Sequence, residues 1–185
     1  MAALVLAAIC MSFGIAGTVA YFTSSSDSHN VIQTAPGVHL SLAEEFAFGV
    51  MPGDTVEGDE VKNKVLVMAD ADSATAWVRV KVTKSIELAE GEAETPNPDV
   101  VFISFNETGD DAKWQKGATD DWWYYKGKLS AGQSTENLFD LIYFSDYDMD
   151  NKYKNAKVTV SIKAQGVQAK NNGDTVFQAK GWPAE

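Results

Sequence analysis

Strict alternation of apolar and polar residues constrains this chain more than any other feature. In TAWVRVKVTK, Val78, Val80 and Val82 point to one side of an extended chain, while Trp77, Arg79 and Lys81 point to the other. Near the end, Val158, Val160, Ile162 and Ala164 alternate in the same way with Thr159, Ser161, Lys163 and Gln165. A period of two places successive side chains on opposite faces of a strand, so each segment predicts a strand with one face in a core and one in solvent.

Weaker signals of the same kind fill the space between. Val38, Leu40 and Leu42 alternate with His39 and Ser41, a turn follows at Pro52-Gly53-Asp54, and Val61, Val65 and Val67 fall in the next extended run. Val100 to Phe105 (VVFISF) and Trp122 to Tyr125 (WWYY) are short, β-branched or aromatic runs that read as strands. Ser134 to Phe144 suits either a strand or one helical turn, and Glu87 to Asp99 reads as a solvated loop or at most a short acidic helix. No sustained helical period is present. Many short strands between turns predict an all-β fold, an antiparallel sandwich in one domain.

The first 22 residues, MAALVLAAICMSFGIAGTVAYF, carry no charged side chain and are long enough to span a bilayer. The small-x-small triplet Thr18-Val19-Ala20, followed by the polar strip Ser24 to Ser28 with no flanking Lys or Arg, favours a cleaved signal peptide over a retained anchor. No basic residue precedes the apolar run, a departure from the usual pattern. Cleavage is expected after Ala20 or Tyr21, which gives three parts: signal peptide 1–21, an extended N-terminal segment 22–37, and a β-sandwich domain 38–185.

Removal of that segment takes the only cysteine, Cys10, with it, so the remainder has no disulfide and no thiol ligand or nucleophile. Core burial alone must hold it together, and a domain of roughly 160 residues is large enough for that. The formal net charge of -11, from 26 acidic against 15 basic residues, speaks against nucleic acid and anionic membranes as partners.

Sites of chemistry are sparse. His29 and His39 sit in no zinc-ligand spacing, and no nucleophile, base and orienting group assemble into a catalytic set, so the reading is non-enzymatic and without a cofactor. Asp146, Asp148 and Asp150 resemble the start of a calcium loop but lack its sixth-position glycine and closing glutamate, where Asn151 and Lys157 stand. They are a weak calcium candidate beside the plainer reading of a solvated acidic turn. Trp114 and the run Trp122 to Tyr125 would make a sugar platform if exposed; alternation turns Trp122 and Tyr124 to one side and Trp123 and Tyr125 to the other, so at least one pair faces inward and core packing is the favoured reading.

GTVAYF, NVIQTAPGVHLSL, MPGDTV with a following VKN, TAWVRVKV, WWYYKGKLSAGQSTENLF, and VTVSIKAQGVQA with a late Trp182 occur in that order over nearly the whole chain. Together they resemble the TasA/camelysin-type exported proteins of Gram-positive bacteria, which an alternate signal peptidase processes. The resemblance implies a jelly-roll sandwich and a secreted protein of the cell surface or biofilm matrix, which forms fibres by donor-strand addition between copies. It implies a homopolymer, with other matrix proteins or carbohydrate as further partners, and membrane contact only through the signal segment before cleavage.

On the residues, the processing site is Ala20, Tyr21 and Phe22, and the side chains suited to fill a neighbour's pockets are Phe22, Val31 and Ile32. The polar centre SSSDSH keeps open the alternative of an unstructured leader. A monomeric adhesin or binding module for carbohydrate or calcium is the alternative function.

Overall fold

The computed structural model describes residues 31–45, 64–91, 94–107, 111–144, 151–153 and 156–184. Nine strands run through them: β1 (Val31–Thr34), β2 (Leu40–Glu45), β3 (Lys64–Ala69), β4 (Ala76–Glu87), β5 (Val101–Phe105), β6 (Trp114–Lys116), β7 (Trp122–Tyr125), β8 (Phe139–Phe144) and β9 (Lys157–Gln168). Single 3-10 turns lie at Pro98–Val100, Asn151–Tyr153 and Val176–Gln178, and no α-helix occurs among the described residues. Ser134 to Phe144 thus resolves as a strand from Phe139 onward, with Ser134 bridged to Met68. Glu87 to Asp99 holds the end of β4 and a turn capped by the Asn97 side chain, which accepts from the Asp99 amide at 3.0 Å.

The main sheet has five strands in the order β1-β9-β4-β7-β6, while β2-β3 and β5-β8 form two antiparallel ladders. The two segments of clearest alternation, β4 and β9, pair antiparallel over twelve residues each, from Ala76 opposite Gln168 to Glu87 opposite Lys157. A purely antiparallel architecture is not what forms. β1 runs parallel to β9, with Val31 opposite Lys163 and Thr34 opposite Gly166, so the main sheet is mixed. Local alternation fixes which face a side chain takes but carries no information on strand direction.

One buried cluster draws on all three sheets: Val38, Leu40, Val65 and Val67 from β2 and β3 with their approach, Val78, Val80 and Ile86 from β4, Trp123 and Tyr125 from β7, Phe139 and Ile142 from β8, and Val158, Val160, Ile162 and Ala164 from β9. Val38, Leu40, Val78, Val80, Val158, Val160, Ile162 and Ala164 among these are side chains that alternation placed together on one face of a strand. Gly166 lets the segment before β2 cross β9 closely: a Cβ there would lie 2.5 Å from Leu40 Cδ1 and 3.1 Å from Val38 Cγ1.

The opposite face of the main sheet departs from the sequence expectation. Trp77, Trp122, Tyr124, Val167, Ala169, Val176 and Ala179 make a second buried cluster, against which Ala35 and Trp182 pack. The C-terminal segment beyond β9 lies over this face. Trp77 therefore is buried, its indole N–H donating to the Asn172 carbonyl at 2.9 Å, and Arg79 and Gln165 are buried too.

Candidate functional site

Two features of the main sheet are candidates, and both arise from β4. The first is a buried polar network on its outer face. Arg79 donates from Nε and Nη2 to the same oxygen, Gln165 Oε1, at 2.9 and 2.7 Å, and from Nη1 to the Tyr124 hydroxyl at 3.3 Å. Its guanidinium lies between two indoles, with Trp122 at 4.1 Å and Trp182 at 4.6 Å from ring centroid to Cζ. Tyr124 in turn donates to Asp120 Oδ2 at 2.7 Å. Burial, and then the Asp120 carboxylate that accepts this proton, push the Tyr124 hydroxyl above its ordinary pKa.

An arginine has only donors, so the Gln165 oxygen must face it and the amide nitrogen must face the other way. Gln165 Nε2 accordingly donates to Gln33 Oε1 at 2.8 Å and to the Pro183 carbonyl at 3.2 Å. Gln165 is fully buried and all four of its hydrogen-bonding positions are used. Two of these bonds come from Arg79 on β4, one goes to Gln33 on β1 and one to Pro183 in the tail, so the two ends of the described chain meet on one amide.

The second feature is a groove of about 660 Å³, lined among others by Lys81, Lys84, Phe102, Ile103, Phe105 and Trp123. It lies where β4 outruns its partner. On one side β9 pairs with the whole of β4, but β7 pairs only with Arg79, Val80 and Lys81. The direction of the remaining backbone groups follows from two contacts. The Thr75 carbonyl bonds across to Ala169 at 2.8 Å, whereas Ala76 exchanges both its groups with Leu129 at 2.9 Å on the opposite side. With no register shift in between, the odd positions of β4 face β9 and the even ones face away. Val82, Lys84 and Ile86 thus turn their N–H and C=O groups to an edge that no strand occupies among the described residues. Across the groove, Lys84 Nζ donates to the Val101 carbonyl at 2.8 Å and lies 3.6 Å from Asp99 Oδ1. Phe105 stacks on Trp123 at 4.0 Å, and Phe102 is 41% exposed.

Sequence-predicted sites are placed as follows. Val31 and Ile32 lie on β1, at the edge of their own main sheet, and Ile32 is 37% exposed. Ala20, Tyr21, Phe22, Asp146, Asp148 and Asp150 lie outside the described residues, as does His29. His39 is on the surface with Nδ1 3.0 Å from Asp72 Oδ1; that hydrogen bond, and then the carboxylate charge, raise its pKa. All of Trp122 to Tyr125 are buried, one pair in each cluster. Tyr125 donates to Glu136, and burial, followed by that bond, pushes its hydroxyl pKa far up. No three His, Cys, Asp or Glu side chains are gathered as metal ligands among the described residues, and no helix there is long and apolar enough to cross a membrane.

Gln165 and the tail were not singled out by sequence. A signal existed: Val176, Ala179 and Trp182 recur every three residues, an apolar spacing that a solvated tail has no reason to carry.

No protein-family model matches the chain, and no curated protein or solved structure is significantly similar to it. The geometry above therefore carries the functional reading by itself.

Proposed function

We propose that the chain is a secreted structural subunit of the cell surface or biofilm matrix, without enzymatic activity, that joins copies of itself by strand addition. The observation that carries this reading is the edge of β4 at Val82, Lys84 and Ile86, which no strand occupies among the described residues, beside a groove lined by both apolar and charged side chains. Unpaired N–H and C=O groups along a strand are a template for another chain, and side-chain pockets beside them give the added strand its register. Phe102, Ile103, Phe105 and Trp123 supply apolar walls.

The donor is the N-terminal segment 22–37, freed when Met1 to Ala20 is cut away. Its Val31–Thr34 already takes strand conformation as β1. That strand is short and pairs with β9 alone in the sheet, so exchanging its own edge for a neighbour's gives up little. A jelly-roll connection between the layers and matrix localisation go with this reading. A sugar-binding module is less well supported, since the aromatic run that would form its platform is buried. Electron microscopy of the protein with Val31 and Ile32 both replaced by Asp tests the donor: fibres should be lost while the subunit stays folded, because the added strand then gives up its apolar burial against Phe102, Phe105 and Trp123. Normal fibres from this variant would place the donor elsewhere.

A further inference from the structure

We infer that Trp182 and Pro183 are a latch that holds β1 on its own sheet, the two ends of the described chain being coupled through Gln165. The coupling needs no contact between the ends themselves. β1 is a four-residue parallel edge strand, and beyond its ladder to β9 it is tied by the Ala35 amide to the Gly166 carbonyl at 3.0 Å and by Gln33 to Gln165 at 2.8 Å. The second of these is strong only while Gln165 is dry. What keeps it dry is the indole of Trp182 over Arg79 and the Pro183 carbonyl on the same amide nitrogen that holds Gln33. When Trp182 lifts, water reaches Gln165 Nε2 and competes for Gln33, and the guanidinium loses one of its two rings.

The latch can open without unravelling what precedes it. Asn172 clamps Lys180 from both sides, its side chain accepting from the Lys180 amide at 2.9 Å and donating to the Lys180 carbonyl at 3.0 Å. Gly181 follows at φ +78, a left-handed conformation natural to glycine, and nothing lies within 4 Å of where its Cβ would be. Lys180 is thus a fixed point, Gly181 a hinge and Trp182-Pro183 the moving part. Trp182 holds itself closed with its indole N–H on the Ala179 carbonyl at 3.1 Å and its ring edge-to-face with that of Tyr124, the centroids 6.2 Å apart. Coupling between two ends is reciprocal, so loosening Gln33 must also loosen Trp182.

In the fibre reading above, this latch would regulate release of the donor segment, but its test does not depend on fibres. Hydrogen–deuterium exchange of the soluble protein should show residues 31–35 exchanging roughly 5- to 150-fold faster in Trp182→Ala, with β3 and the β4–β9 ladder unchanged. Trp182→Phe, which keeps a ring over Arg79, should restore most of the protection. Gln33→Ala should make the Trp182 indole more accessible to a soluble quencher, the other four tryptophans being buried. Exchange of residues 31–35 at the wild-type rate in Trp182→Ala would overturn the latch. So would an equal rise across β4 and β9, which would make Trp182 a general stabiliser. If these shifts appear and no fibres form under any condition, the latch stands and the polymerisation reading falls.

Discussion

Arg79 and Gln165 stand 86 positions apart in sequence and meet through two hydrogen bonds to a single oxygen, one from Nε and one from Nη2, in the buried outer face of the main sheet. A buried cation with an acceptor taken away costs more than a pair removed together. Gln165→Leu should lower stability by about 3 kcal/mol in urea unfolding, since bonds to a charged group contribute about 1.5–3 kcal/mol. Arg79→Met with Gln165→Leu should cost clearly less than the two single changes summed. Strict additivity would mean the two side chains do not act as a pair.

Gly166→Ala should destabilise the fold, because its new methyl would meet Leu40 Cδ1 and Val38 Cγ1 where the chain crosses β9. Overpacking of this kind costs about 1–3 kcal/mol. A calorimetric midpoint equal to that of the wild type would show that the crossing can relax freely.

The His39 and Asp72 pair sets a pH response at the surface. The hydrogen bond from the imidazole, and then the opposite charge, raise His39 and lower Asp72. The His39 contribution is complete below the ordinary histidine value of about 6.5 and is lost as pH rises through the raised folded value. The Asp72 contribution is present above the ordinary carboxylate range and fades as pH falls through its lowered value. Nuclear magnetic resonance titration of Asp72→Asn should find the His39 transition moved down towards the ordinary value; a midpoint unchanged from wild type would deny the pair.

Lys84→Pro should block assembly and spare the subunit. Lys84 turns its N–H to the open edge, and proline is tolerated in a strand where the lost N–H faces no partner. Its neighbours Thr83 and Ser85 keep the bonds to β9. Lys84→Met, which keeps the N–H and loses the ammonium contacts to the Val101 carbonyl and Asp99, should still assemble. Light scattering distinguishes the two, and equal polymer mass from both would rule out backbone pairing at this edge.

How much of this was legible in sequence depends on the range of the interaction. Alternation around Val78 and Val158 identified β4, β9 and the inward faces that form the main core, because side-chain facing is a local property. The same pattern misassigned Trp77, Arg79 and Gln165 to solvent. Whether a sheet's second face is covered depends on where distant chain goes, here the segment through Val176, Ala179 and Trp182. The parallel sense of β1 was hidden for the same reason, as was the groove, which exists only because β7 begins at Trp122, opposite Lys81, while β4 continues to Glu87. The proposed donor side chains were readable as apolar positions in a polar leader; the edge that would receive them was not.

Negative-stain electron microscopy of the purified protein beginning at Tyr21 tests self-association by strand addition most directly. The expected result is unbranched fibres that grow with concentration and vanish in Lys84→Pro. Dispersed globular particles at every concentration, with the subunit folded, would contradict it.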